Sequence, residues 1–300
     1  MEFLNLLQQA KKHVHGFIAC LLLIVLLTNV LQGPLLLAAK HLEASFSQQG
    51  ILIAGMDKNL YLTLSLLPFI GIWLALYLVT TKIHKTPFRN LISASKSIDK
   101  KRILFGFIVW IVFSACGVGL DYYFHGDQYQ FQFNLLQFIP LILISLTLIP
   151  IQTSAEELLV RSYFMQMLGV STNKRWIPIL LTSTIFGLLH LANPEVHHFG
   201  LLTALPMYIG SGIIFAICTV MDDRLELALG MHAANNIFIS IFITNENSTF
   251  QTYALFDAPM NDMVLNYTAW ILGSAFFLFL AHKTFKWGSW KYLIQEKSDH

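Results

Sequence analysis

Ser154-Ala155-Glu156-Glu157-Leu158-Leu159-Val160-Arg161 sets two adjacent carboxylates and a guanidinium between long apolar runs. Ionisable groups in such a place are costly unless they pair, lie buried in protein or face a water-filled cavity. The stretch therefore reads in two ways. It is a charged cluster at the surface end of a span, or a polar site inside a helical bundle. The rest of the chain shows how strongly lipid must bear on it. Of 300 residues, 55% are apolar and only 12% charged, against about 25% charged in soluble domains. The expected fold is all-α, a polytopic transmembrane helical bundle.

Spanning the hydrocarbon core takes ~20 helical residues. Apolar runs of about that length lie at 16–39, 59–80, 103–120, 133–150, 176–191, 199–220, 225–244 and 264–282. This predicts about eight spans. The amphipathic piece 154–169 either continues the fourth span or follows it. Gly33-Pro34 is expected to bend the first span, and Pro68 to interrupt the second. Lys11-Lys12 before an apolar run resembles a signal peptide. The run exceeds a 7–15-residue signal core, so an uncleaved first span is expected. There is no β-type alternation and no internal repeat. Residues 1–300 are read as a single integral-membrane domain.

Basic residues orient the chain. Segment 82–102 holds Lys82, Lys85, Arg89, Lys96, Lys100, Lys101 and Arg102, and the C-terminal tail holds Lys283, Lys286, Lys291 and Lys297. Loops 121–134 and 245–262 carry acidic residues and no Lys or Arg. Eight spans with both termini in the cytoplasm satisfy these loops, at the cost of placing Lys40 and Lys58 outside. The expected location is the cell membrane, multi-pass. Segment 86–101 mixes apolar and basic residues, and suits either the cytoplasmic membrane surface or a solvated linker. The net charge of +2 and the lack of a basic run with interleaved aromatics exclude a nucleic-acid partner. Cys20, Cys116 and Cys218 lie in apolar runs without a CxxC pair, and read as small buried hydrophobes.

In a helix, Glu157 and Arg161 are i, i+4, about 40° apart, and can pair, with Ser154 on the same side. Glu156 is rotated about 100° from Glu157. The two carboxylates are therefore expected to face different partners, Glu157 toward Arg161 and Glu156 toward a cavity. Phe186 and His190 share a face of the fifth run, with Asn193 a candidate partner for His190. In the seventh run His232 and Asn236 project together, and small Ala233 and Ala234 allow close helix approach. Each residue alone reads equally as an interhelical hydrogen bond. Together they place an extra carboxylate, two imidazoles and a carboxamide in separate spans. A Glu can act as base toward water and later as acid toward a leaving amine. An imidazole can orient that water, and a His with an Asn can donate to an oxyanion. Glu with two His is also a zinc ligand set. There is no HExxH, however, and the residue four after His232 is Asn. His197 and His198 sit in a predicted external loop and read as solvated.

Glu156-Glu157-xxx-Arg161, Phe186-xxx-His190 and His232-xxx-Asn236 resemble, in order, the three motifs of the CPBP family. These are the CAAX-protease and bacteriocin-processing (ABI) intramembrane proteins, relatives of the Ras-converting CAAX endopeptidase. The surrounding residues, such as Phe186-Gly187-Leu188-Leu189-His190-Leu191 and Gly230-Met231-His232-Ala233-Ala234-Asn235-Asn236, are similar to bacterial members. The likeness covers roughly 135–244, which would be the catalytic core. Val160 and Ser162 depart from the residues common there. The resemblance implies an intramembrane, metal-independent glutamate-dependent endopeptidase. Glu156 would activate water with help from His190, and His232 and Asn236 would form the oxyanion site. Glu157, Arg161 and Phe186 would support them. It implies no cofactor, zinc being the alternative. The implied partners are a peptide or membrane-protein substrate and the lipid bilayer. The competing reading is a non-catalytic immunity or scaffold protein of the same family. One geometric strain remains. If the fifth span begins at the cytoplasmic face, His190 lies ~21 Å into it at 1.5 Å per residue, away from a Glu156 near that face.

Overall fold

A computed structural model of the protein describes residues 3–7, 13–42, 55–95, 97–258 and 263–296. Lys11, Lys12, Lys96, Asp262 and Lys297, used above for processing and orientation, lie outside the described residues. Helix α1 (His13–His41) runs through Pro34 as one element. Helices α2 (Lys58–Leu66) and α3 (Pro68–Leu78) meet at Leu67, where Pro68 starts a new helix, and a π-helical turn Val79–Ile83 extends them. Helix α4 is Lys100–His125. Helix α5 (Leu135–Glu157), a π-helical stretch Leu158–Phe164 and α6 (Met165–Val170) form one uninterrupted 36-residue rod. Helices α7 (Trp176–Leu189), α8 (Pro194–Phe199), α9 (Leu201–Asp222), α10 (Glu226–Phe242) and α11 (Met263–Phe285) complete the bundle.

In hydrocarbon each backbone polar group must be satisfied within its own segment, which restricts an open chain to helices. Side-chain hydroxyls follow the same rule: Thr28 Oγ1 and Thr147 Oγ1 donate to the carbonyls of Ile24 and Leu143, both at 2.6 Å. Outward positions are large and apolar, among them Leu22, Leu37, Leu136 and Leu202, as a lipid-facing surface requires.

Among the described residues six helices are long and apolar enough to cross a membrane. The protein is a multi-pass, all-α membrane protein. The count departs from the eight expected spans at α7 and α10, with 14 and 17 residues. At 1.5 Å per residue they reach ~21 and ~26 Å, short of the ~30 Å hydrocarbon core. They are helices nonetheless, because much of each packs against protein. Nearly all of the first half of α10 is buried, including Glu226, Gly230 and His232. These two short helices bring in His190 and His232.

The long rod removes the depth conflict. Val170 lies 14 residues, ~21 Å of helix, beyond Glu156. The chain turns there, and α7 climbs back over a similar length to His190. The start of α7 is thus well below the level of Glu156.

Glycine lets α4 and α10 touch backbone to backbone. A Cβ on Gly230 would stand 2.0 Å from the Ile103 carbonyl oxygen, and one on Gly106 2.5 Å from that of Leu227. Small residues at such crossings permit close packing in lipid.

A small sheet is present where none was expected. Strands β1 (Gln130–Phe131), β2 (Ile243–Thr244) and β3 (Phe256–Asp257) pair in the order β1-β3-β2, antiparallel then parallel. Two-residue strands are too short to show a period in sequence. Part of segment 86–101 packs against the bundle rather than lying solvated. A 3-10 turn at Phe88–Leu91 leads Leu91, Ile92 and Ser93 into burial. The Leu225 N–H donates to the Ile92 carbonyl at 2.8 Å, so the segment seals the end of the bundle.

Candidate active site

The site forms around the Glu-bearing rod. Within α5 the Ser154 hydroxyl donates to the Pro150 carbonyl at 2.5 Å. The same hydroxyl accepts from the Trp73 indole at 3.1 Å, which ties α3 to the rod. Immediately after Glu157 the rod widens into π-helix, a geometry that recurs at functional sites.

Arg161 donates from one terminal nitrogen to Glu157 Oε1 at 3.0 Å, with both side chains fully buried. The guanidinium lies over the Phe186 ring, 3.7 Å from its centroid, with Phe215 at 5.2 Å. Cation–π attraction is strongest when desolvated, and these two rings occupy faces where no hydrogen-bond acceptor is available. Gly212 leaves the space. A Cβ there would sit 3.0 Å from Ser183 Cα and 3.2 Å from the other terminal nitrogen of Arg161.

His232 alters the expected division of the carboxylates. Its Nδ1 lies 2.8 Å from Glu157 Oε1, and its Nε2 lies 3.6 Å from Glu156 Oε2. The 100° rotation keeps the carboxylates apart, but an imidazole has a nitrogen toward each. Glu157 thus holds both Arg161 and His232. An ionised carboxylate only accepts, so Nδ1 carries the proton in that bond. The His232 ring stacks on Phe215, with centroids 5.0 Å apart and planes at 19°, and meets Phe186 edge-on at 5.9 Å.

Glu156 differs from its neighbour. Its side chain is 17% exposed, whereas that of Glu157 is 0% exposed. Oε1 accepts from Gln152 Nε2 at 2.6 Å. Its Oε2 is buried without a hydrogen bond, since the 3.6 Å to His232 exceeds hydrogen-bond reach, and Oε2 of Glu157 is likewise buried without one.

His190 caps the end of α7. Its Nδ1 donates to the Phe186 carbonyl at 2.7 Å, so its partner is that carbonyl rather than Asn193. Asn193 instead donates to the Tyr208 hydroxyl at 3.0 Å. The His190 ring stacks on Tyr208 at 4.4 Å and meets Phe186 at 4.4 Å. Glu156, His232 and Arg161 are near enough to act on its charge. Asn236 Nδ2 donates to Gln152 Oε1 at 3.1 Å, so it reaches Glu156 through Gln152.

Glu156, Glu157, Arg161, Phe186, His190, His232 and Asn236 therefore meet in one place. His197 and His198 lie exposed on α8, apart from them. Among the described residues no group of three or more His, Cys, Asp or Glu is placed to hold a metal ion. The sequence reading passed over Gln152, Trp73 and Tyr208. Gln152 was within reach of it, being four residues before Glu156 on the same helix.

Residues 135–238 match the family described as type II CAAX prenyl endopeptidase Rce1-like. The uncharacterized protein YyaK of Bacillus subtilis (strain 168) is 38% identical over 181 residues, 60% of this chain and 59% of that protein. The chain thus aligns with less than two thirds of that relative. No solved structure matches. The matched segment runs from the start of the Glu-bearing rod to just beyond Asn236, and over residues 135–238 the chain is similar to the Rce1-like family of type II CAAX prenyl endopeptidases.

Proposed function

We propose that the protein is an intramembrane endopeptidase that hydrolyses a peptide bond with water activated by Glu156, without a cofactor. The family is one of proteases. The observation that carries the finer reading is the contrast between the glutamates. Glu157 is fully buried, and its Oε1 is held by both Arg161 and His232. Both glutamates keep Oε2 buried without a hydrogen bond, but only Glu156 is partly exposed, so only its Oε2 lies beside a route for water. A buried oxygen in that state is costly, and a bound water is the simplest group to satisfy it.

In the proposed reaction, water gives a proton to Glu156 Oε2 while its oxygen bonds to the scissile carbonyl carbon. The carbonyl electron pair moves onto oxygen, where N–H groups of Asn236 and His232 receive it. A doubly protonated His232 would make Glu156, Glu157, Arg161 and His232 sum to zero charge, which suits a buried cluster. The C–N bond then breaks, and the proton on Glu156 passes to the leaving amine. His190 orients the water, since its Nδ1 is committed to Phe186 and its Nε2 is left over. The substrate is a peptide or membrane protein reaching the site from the bilayer near the cytoplasmic face.

The test compares membrane peptides from cells carrying wild type or Glu156→Gln. The variant keeps the shape and the bond from Gln152 but lacks the base. Loss of acid–base catalysis should lower processing by at least about 10²-fold. Processing that survives in Glu156→Gln would favour the non-catalytic immunity or scaffold role.

A further inference from the structure

Four hydrogen bonds in a row lead from α4 to the catalytic carboxylate. Trp110 Nε1 donates to Asn235 Oδ1 at 3.1 Å, and Asn235 Nδ2 donates to Asn236 Oδ1 at 3.0 Å. Asn236 Nδ2 donates to Gln152 Oε1 at 3.1 Å, and Gln152 Nε2 donates to Glu156 Oε1 at 2.6 Å. Each carboxamide could in principle be turned over, exchanging donor and acceptor. The two ends forbid it. An indole N–H only donates, and an ionised carboxylate only accepts. With Trp110 donating, Asn235 must present oxygen to it and nitrogen onward. The same logic orients Asn236 and then Gln152. The row has one direction, and each bond polarises the next.

We propose that Trp110, Asn235 and Gln152 are positioning residues, joined through Asn236 in a one-way hydrogen-bond relay that holds Glu156 Oε1 and leaves Oε2 as the basic atom. This rests on the endopeptidase reading for its catalytic meaning, though the relay itself does not depend on it. Trp110 lies on α4, outside residues 135–238. Its indole is 5% exposed and boxed in by Phe113 and Phe277. The close crossing of α4 and α10 at Gly106 and Gly230 keeps the indole within reach of Asn235. The relay also sets Asn236 so that a nitrogen rather than an oxygen faces Gln152, with one N–H left for an oxyanion. The charged and titratable groups around Glu156 are Glu157 and Arg161 on its own rod, His232 from α10 and His190 at the end of α7. None of these belongs to the relay. Tyr208 on α9 stacks on His190 and hydrogen-bonds Asn193 and Glu195, outside the relay.

Two readouts test the relay. The first is infrared difference spectroscopy of the purified full-length protein, with the Glu156 band assigned by its absence in Glu156→Gln. Trp110→Phe keeps the ring and removes the donor. Asn235→Asp still accepts from Trp110 but, ionised, cannot donate onward. Both should shift the Glu156 band in the same direction as Gln152→Leu, and Trp110→Phe with Gln152→Leu should shift it no further than Gln152→Leu alone. An unmoved Glu156 band in Trp110→Phe and Asn235→Asp, with both proteins folded, overturns the relay whatever the protein's activity. The second readout is cleavage of a peptide identified in the comparison above. Trp110→Phe should lower kcat about fivefold, the worth of one neutral hydrogen bond, with KM unchanged. The double variant should be no slower than Gln152→Leu. Multiplied effects would mean independent packing defects and would also overturn the relay. Retained cleavage by Glu156→Gln would instead reject the endopeptidase reading, leaving the infrared result to stand.

Discussion

At the scale of single residues, adjacent glutamates sit in unlike environments, one fully buried and one partly exposed. Glu157 and Arg161 are both fully buried. Removing one member of such a pair strands the other charge, at a cost of about 3–5 kcal/mol. Glu157→Gln is therefore expected to unfold at markedly lower temperature in detergent, while Glu156→Gln stays near wild type. A thermal-unfolding series on the two variants checks this, and equal stabilities would contradict the division of roles. The i, i+4 spacing made the Glu157–Arg161 pair legible. The bond from His232 to Glu157 was not legible, because it joins residues 75 positions apart and depends on how α10 lies against α5.

At the scale of elements, the crossing of α4 and α10 places two parts of the site at once. Gly230 stands two residues before His232, and Trp110 lies one turn beyond Gly106. A Cβ at Gly230 would meet a backbone carbonyl, which cannot swing aside as a side chain can. Gly230→Ala should force the helices apart, cost about 1–3 kcal/mol as overpacking does, and break the Trp110–Asn235 bond. Gly33→Ala is the control, since nothing lies within 4 Å of its added Cβ. Unfolding temperature and cleavage rate should both fall in the first variant and neither in the second. The sequence pointed to Ala233 and Ala234 as the small residues of close approach. The backbone-to-backbone approach of α4 and α10 lies at Gly106 and Gly230, since only a pair of helices in register shows which small residues face each other.

At the scale of the whole molecule, the segments near the two ends of the chain lie at one end of the bundle. The Phe3 backbone N–H donates to Asp223 Oδ1 at 3.0 Å. Arg175 donates to the Gln295 and Glu296 carbonyls at 3.1 and 2.8 Å. Thus the end of α9, the α6–α7 turn and both terminal segments share a side. The basic-residue pattern predicts that this side faces the cytoplasm. In a cysteine-free background, a membrane-impermeant maleimide should label Asp127→Cys in intact cells, and Lys174→Cys only after the cells are broken. Both positions are exposed. The reverse pattern would invert the orientation and move the site toward the outer face.

The sequence by itself determined the solvent, the fold class and the inventory of polar groups. Hydropathy and helical spacing act over a few residues, so long apolar runs and an i, i+4 ion pair can be read directly. It also marked the three motifs that resemble an intramembrane protease family. Only the tertiary structure decided that two short helices reach the site within a bundle of longer ones. It alone also decided that one imidazole meets both glutamates and that a tryptophan on α4 connects to the carboxylate. Each of these depends on where one helix lies against another, and in lipid that is set by close packing between small residues that look alike in sequence.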